Sequence, residues 1–344
     1  MELQLDQLRA FVAVVDGGTF DAAAQQLRVT PSAISQRIKA LEGAVGRVLL
    51  QRVKPVRVTE SGEAVLRLAR QVTLLEDETA RALGVDASTA STAVSDAAGP
   101  ANANLGNADA AGPFTSIPLV INSDSLATWA LPALARVAST QRVVFDVFRE
   151  DQDHSTARLR DGSVMAAITS VSEPVQGCIV RPLGRMRYRP MASPEFATRW
   201  FANGVTASAL RVAPVVIYDR SDDLQDRYLR RHAATGGQGS EPAERGDGLS
   251  ERSGETGERG GGPPAPPRHF IPASSEFFSA VRLGFGWGML PAAQIGELEA
   301  AGELVAIGED DIRVPLYWQQ WRLHSQLLAA VADEIAAVAA GSLR

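Results

Sequence analysis

The 344 residues exceed one compact domain and predict two or three, with 45% hydrophobic residues supplying more than one core. One cysteine, Cys178, excludes a disulfide framework or cysteine-rich zinc site, four scattered histidines exclude a compact histidine metal site, and no 18-residue apolar run or basic-then-apolar N-terminal leader is present, so a cytoplasmic protein with no membrane span, metal or cofactor is expected. The net charge of −6 argues against a polyanion partner until its distribution is read: residues 28–57 carry +6 and residues 85–344 carry −7, which suggests a polyanion-binding module on an acidic body.

Leu5, Leu8, Val12 and Val15 follow helical spacing, and Gly17-Gly18 ends that helix. Thr19 is placed to cap a second helix through Phe20, Ala22, Ala23, Ala24 and Leu27, whose alanines allow close approach. A third helix starts at Thr30-Pro31, with Thr30 as cap and Pro31 at the first helical position, where its missing N–H costs nothing. Ile34, Ile38, Leu41 and Val45 form its buried stripe. Ser32, Ser35, Gln36, Arg37 and Lys39 remain on other faces, where serine and glutamine suit base edges and arginine and lysine suit phosphates or guanine. Two short strands, Val48–Gln51 and Val56–Val58, predict a wing carrying Arg52, Lys54 and Arg57 toward the sugar–phosphate backbone. A three-helix domain without a DNA role is the plain alternative, disfavoured by order, spacing and charge together.

Thr59 caps a long helix over Glu60–Ala82. Val65, Leu68, Val72, Leu75, Thr79 and Ala82 form a heptad seam, predicting a dimerising coiled coil, with a lone amphipathic helix as the alternative. Residues 85–115, rich in Ala, Ser, Asn, Gly and Asp, read as a flexible linker, and residues 235–267, with ten glycines and five prolines, read as disordered. Elsewhere strands alternate with helices: strands at Pro118–Asn122, Val143–Phe148, Met165–Thr169, Val215–Tyr218, His269–Ile271, Trp287–Leu290 and Val314–Trp318, and a C-terminal helix ending near Ala340. This is an α/β architecture, two small sheets with a cleft between them.

Residues 8–62, LRAFVAVVDGGTFDAAAQQLRVTPSAISQRIKALEGAVGRVLLQRVKPVRVTESG, resemble the winged helix of LysR-type transcriptional regulators. The resemblance continues through INSDSLATWALPALA (121–135), APVVIYD (213–219), SSEFF (274–278) and LYWQQW (316–321), which are similar to the LysG/ArgP branch, and departs at the two low-complexity segments. It implies a mixed fold: an all-α winged helix-turn-helix domain (1–59), a dimerising linker helix (60–84), the flexible linker (85–115) and a periplasmic-binding-protein-like effector domain (116–344). In that domain subdomain I is expected at 116–186 and 291–344, and subdomain II at 187–290. It further implies a homodimer or homotetramer on double-stranded operator DNA with dyad symmetry, an activator working with RNA polymerase. Its effector would be L-lysine or L-arginine, and its target a basic amino acid exporter gene.

In such a domain ligands are expected outside the carboxyl ends of strands. Ser123, Asp124 and Ser125 follow the first strand and open a helix whose free N–H groups favour a carboxylate, although Asp124 fits equally as the helix cap. Trp129 reads as core ahead of a ligand stack. Ser274 and Ser275 open another helix and suggest a second polar wall. The ligand cation needs an acid, and Asp146, Glu150, Asp151 and Asp219 are the candidates, each also compatible with an ordinary surface role. An enzyme is not expected: the only lysines, Lys39 and Lys54, lie in the basic module, no Gly-x-Ser-x-Gly elbow occurs, and Cys178 reads as a small buried hydrophobe. A nucleoid-organising helix-turn-helix protein answering to another small molecule or none, and a plain amino-acid-binding module, are the competing functions.

Overall fold

Short polar caps fix where the first helices begin in the computed structural model, which describes residues 2–83, 114–149, 152–235 and 265–343. Helix α1 (Leu5–Gly17) ends at Gly18, whose φ of 64° is left-handed. In α2 (Phe20–Gln26) and α3 (Pro31–Val45) the hydroxyls of Thr19 and Thr30 accept the N–H of Ala22 at 3.1 Å and of Ala33 at 3.2 Å. Phe11, Val14, Ala23, Ile34, Ile38 and Leu41 share one buried core. The wing is shorter than its sequence suggests: β1 (Leu50–Gln51) pairs antiparallel with β2 (Arg57–Val58). Helix α4 (Glu60–Ala82) starts at Thr59, whose hydroxyl accepts from the Gly62 N–H at 3.1 Å and donates to the Val48 carbonyl at 2.8 Å.

The α/β part runs β3 (Thr115–Ile121), α5 (Ser123–Ser125), a π turn (Leu126–Ala130), α6 (Leu131–Thr140), β4 (Val143–Arg149), α7 (Gln152–Asp161), β5 (Ala166–Thr169) and β6 (Cys178–Ala192). It continues through α8 (Pro194–Trp200), α9 (Ala207–Val212), β7 (Val215–Ile217), α10 (Leu224–Thr235), β8 (Arg268–Phe270), α11 (Ser274–Arg282) and β9 (Gly288–Pro291). It ends with α12 (Gly296–Ala300), β10 (Val305–Ala306), β11 (Ile312–Trp321) and α13 (Gln326–Ser342). The strand Cys178–Ala192 has no counterpart in the sequence reading, because Pro182, Gly184 and Pro190 interrupt its alternation. Of the two low-complexity segments, all but residues 114–115, 235 and 265–267 lie outside the described residues, and the expected linker's last residue, Thr115, already belongs to β3.

The chain forms two compact units, Met1–Gly184 with Pro315–Leu343, and Arg185–Val314. In the first, β3 lies parallel between β4 and β5, and β11 pairs antiparallel with β5, Tyr317 opposite Thr169. Helix α13 packs on α6, and α4 packs on both α1 and α7. In the second unit, β6 pairs antiparallel with β9 and β10, β7 pairs parallel with β8, and Met191, Val216, Phe277, Val281 and Leu290 share a core. Residues 291–314, grouped by sequence with subdomain I, belong to this second unit, because β9 and β10 are hydrogen-bonded to β6 there. Among the described residues no helix is long and apolar enough to cross a membrane.

Candidate nucleic-acid and effector sites

Helix α3 turns Ile34, Ile38 and Leu41 fully inward. That rotation leaves Thr30, Pro31, Ser32, Gln36 and Lys39 exposed, with Ser35 half-buried. Arg37 is half-buried and pairs with Asp6 of α1 at 3.3 Å, so its charge is directed sideways. On the wing, Arg52, Lys54 and Arg57 are all exposed. The Arg52 guanidinium stands over the Phe20 ring, 5.6 Å from its centroid. The Val56 N–H donates to the Gly18 carbonyl at 2.9 Å, tying the wing to the turn between α1 and α2. A cavity of about 190 Å³ opens between wing and helices, lined by Phe20, Ser35, Arg52, Lys54 and Val56. Glu42, the lone acid of the basic stretch, spends its carboxylate on the backbone, accepting the N–H of Leu49 at 2.9 Å and of Leu50 at 3.4 Å. The result is an exposed polar helix face beside an exposed basic wing, which suits base edges and phosphates respectively.

In α4 the expected seam is only partly free. Val65 is buried in the core of the first three helices, while Leu68 and Leu75 remain 39% and 37% exposed, followed by exposed Thr79 and Ala82.

The second candidate site lies at the carboxyl edge of β3 and β5. The side chains of Asn122, Ser125 and Trp129 are buried, and Asn122 Oδ1, Ser125 Oγ and Trp129 Nε1 have no hydrogen-bond partner among the described residues. Ser123 and Asp124 beside them are half-buried. The π turn over Leu126–Ala130 directly follows Ser125, and such turns are concentrated at functional sites. Ile121 stands opposite Ile168 of β5, so Thr169 and Ser170 continue past the same edge, and Tyr317 pairs with Thr169 there. Sequence reasoning missed Asn122, Thr169, Ser170 and Tyr317; only strand pairing brings them together.

The acids divide. Asp146 is exposed in mid-strand opposite Pro118, three residues before Ile121, the last residue of β3, which places it about 10 Å back from the edge at strand rise. There it stands near Asp16: burial pushes the Asp16 carboxyl up, Arg70 opposes this, and the Asp146 charge adds to the rise. Asp146 is therefore not part of this edge. Glu150 and Asp151 lie outside the described residues. In the second unit Asp219 closes a turn after β7, accepting from the Ser221 N–H and hydroxyl at 2.7 and 2.6 Å and from the Asp222 N–H at 3.1 Å. Ser274 and Ser275 occupy the first turn of α11 behind Ala273, and the Ser275 hydroxyl donates to Glu276 at 2.6 Å. Cys178 is buried, and burial pushes its thiol up to about 11, as a packing residue requires.

Comparison with known proteins places these features in context. Residues 5–63 match the family described as bacterial regulatory helix-turn-helix protein, lysR family. Over 346 residues the chain is 39% identical to the HTH-type transcriptional regulator LysG of Mycobacterium tuberculosis, covering 99% of this chain and 96% of that protein. It is 37% identical over 339 residues to the lysine export transcriptional regulatory protein LysG of Corynebacterium efficiens, covering 98% of each. The solved full-length structure of LysG from Corynebacterium glutamicum with bound effector arginine matches at a TM-score of 0.65 and 31% identity, over 99% of both chains.

Proposed function

From the premise that this chain belongs to the LysR family of bacterial helix-turn-helix transcriptional regulators, we propose that it binds dyad-symmetric operator DNA as a dimer or tetramer, takes a basic amino acid as effector, and controls a basic amino acid exporter gene. The observation that carries the effector reading is the trio Asn122 Oδ1, Ser125 Oγ and Trp129 Nε1. A buried polar atom left without a partner costs about 1–3 kcal/mol, so three near one strand end favour a polar ligand that satisfies them. The hydroxyl of Ser125 and the indole N–H of Trp129 donate, which suits a carboxylate; Asn122 Oδ1 accepts, which suits an ammonium. An α-amino acid carries both groups. Two relatives support the rest: one has arginine bound as effector, and another is named for lysine export. For the ligand's side-chain cation we retain Glu150 and Asp151, which follow Arg149 in sequence; Asp219 already accepts three hydrogen bonds.

For DNA, Ser32, Ser35, Gln36 and Lys39 read the major groove, and Arg52, Lys54 and Arg57 hold the backbone. The test is footprinting on the gene's own upstream region with and without lysine, arginine and histidine, paired with calorimetry. Lysine or arginine should bind and alter the protection. A footprint indifferent to every basic amino acid that calorimetry shows to bind would separate sensing from regulation and sink the proposal.

A further inference from the structure

Arg70 of α4 is the only buried charged side chain among the described residues, at 5% exposure. Its guanidinium reaches two segments remote in sequence. Nη2 donates to the carboxylate of Asp16, in the last turn of α1. Nη1 donates to the carbonyl oxygens of Gly162, at 3.1 Å, and of Ser163. Removing a guanidinium from water is costly, and an apolar residue would serve packing at least as well, so a buried arginine with three acceptors is better suited to fixing geometry than to adding stability. The approach is tight. Gly162 has a φ of 82°, and a Cβ there would stand 2.9 Å from the backbone nitrogen of Arg67. Other ties hold α4 on one side or the other: Glu76 pairs with Arg9 of α1 at 2.8 Å, and Glu78 accepts the Leu327 N–H of α13 at 2.9 Å. Among the described residues, Arg70 alone joins both sides through one group.

The 162–163 turn leads into β5, and Met165 N–H donates to the Pro118 carbonyl of β3 at 2.9 Å. These two strands end, at their other tips, in Thr169 and in Ile121, just before Asn122, the edge described above. We infer that Arg70 is a positioning residue that locks the DNA-reading helices onto the amino ends of the strands whose carboxyl ends hold the effector. A ligand that shifts β3 or β5 along its length moves the carbonyls of Gly162 and Ser163 under Arg70, and Asp16 carries that shift into α1. The signalling half rests on the effector site proposed above; the mechanical half does not.

Full-length Arg70→Met and Asp16→Asn test it by two measurements. Without ligand, amide hydrogen exchange should quicken at least tenfold at residues 13–17 and 158–165 in Arg70→Met. In Asp16→Asn it should quicken at 13–17 while 158–165 stays protected. With ligand, the ratio of operator affinities at zero and saturating arginine should fall toward one in both variants, while arginine affinity stays within about twofold; because coupling is reciprocal, operator DNA should also stop altering arginine affinity. A merely structural role would lower stability and leave that ratio unchanged. Unaltered exchange in both segments, or a wild-type ratio in both variants, overturns the inference. A wild-type protein that binds no arginine sinks the effector reading instead, and exchange then decides this one. If Arg70→Met does not fold, Asp16→Asn carries both arms.

Discussion

The carboxylate of Glu42, near the end of the recognition helix, accepts the backbone N–H of Leu49 at 2.9 Å, just before the first wing strand. A negative charge beside a polyanion site weakens binding by repulsion, and here it is retained in a position where it fixes the wing against the helix. Glu42→Ala removes the acceptor and leaves the N–H of Leu49 without it. Stability is expected to fall by about 1–3 kcal/mol in denaturant unfolding, and operator affinity with it. Glu42→Gln keeps an acceptor oxygen and should recover most of both. An alanine variant with wild-type stability would show that the wing needs no such tie.

The exposed face of α3 and the wing should separate in binding assays. Gln36→Ala is expected to cost about 1–3 kcal/mol of discrimination between operator and scrambled sequence. Arg57→Ala should weaken both sequences alike and reduce the salt slope by about 0.9 for its phosphate contact. Arg37→Ala should do neither: its partner is Asp6, a half-exposed ion pair worth about 0–1 kcal/mol of stability. Operator preference surviving Gln36→Ala would move the reading face elsewhere on α3.

Leu68 and Leu75 remain partly exposed on α4, while Val65, Leu66, Ala69 and Leu74 are buried. Leu68→Glu with Leu75→Glu places charge where a second copy is expected to pack, and sedimentation should show monomers that no longer bind dyad-spaced half-sites. A double variant that sediments as wild type would place the dimer contact on another surface.

The first four helices and their starts were legible in the sequence because spacing and capping act within a few residues: Thr19, Thr30 and Thr59 each hold an N–H three residues on. The proposed effector edge was half legible. Ser123–Ser125 follow an apolar run, but Thr169 and Tyr317 reach the same edge only through strand pairing, which no local pattern encodes. Arg70 was illegible for a different reason: an arginine in a polar helix reads as solvated, and its burial depends on Gly162, 92 residues away. Asp146 is set back from that edge by its register opposite Pro118, which the pattern within its own strand does not encode.

Tyr228 and Gly308 form a second coupled pair. Tyr228 is fully buried, its hydroxyl has no hydrogen-bond partner among the described residues, and a Cβ at Gly308 would run into that hydroxyl. Burial pushes the phenol from its ordinary 10.0 up to about 12. A raised folded value means that the contribution of the neutral hydroxyl is full below pH 10.0 and lost as pH rises toward 12, so alkaline unfolding should be delayed in Tyr228→Phe. At pH 7 the same variant sheds an unsatisfied polar atom and should hold or raise Tm. Gly308→Ala should destabilise by about 1–3 kcal/mol through overpacking, and most of that cost should vanish in the Tyr228→Phe background. Strict additivity in this double-mutant cycle would show that the two groups do not meet.

At the proposed effector edge, the buried donors and acceptor predict different responses to substitution. Ser125→Ala deletes a hydroxyl whose proposed partner is the ligand carboxylate, a group shared by every amino acid; affinities for lysine, arginine and leucine should fall by similar factors. Asn122→Ala deletes the proposed ammonium acceptor and should do the same, while sparing the same acids without their α-amino group. Each lost charge-assisted bond is worth about 1.5–3 kcal/mol, or about 10- to 150-fold in affinity. Side-chain selectivity has a separate origin. Norleucine matches lysine in chain length but lacks the terminal cation, so it should bind more weakly by that same range if Glu150 or Asp151 pairs with the cation. Glu150→Gln and Asp151→Asn then divide the effect: the variant of the true partner should bring lysine down toward norleucine and leave leucine unchanged. Calorimetric titration of these ligands against wild type and variants reads all of this directly. Equal affinity of wild type for norleucine and lysine would remove the acidic partner, and a Ser125→Ala protein that binds every amino acid as tightly as wild type would remove the carboxylate from this edge.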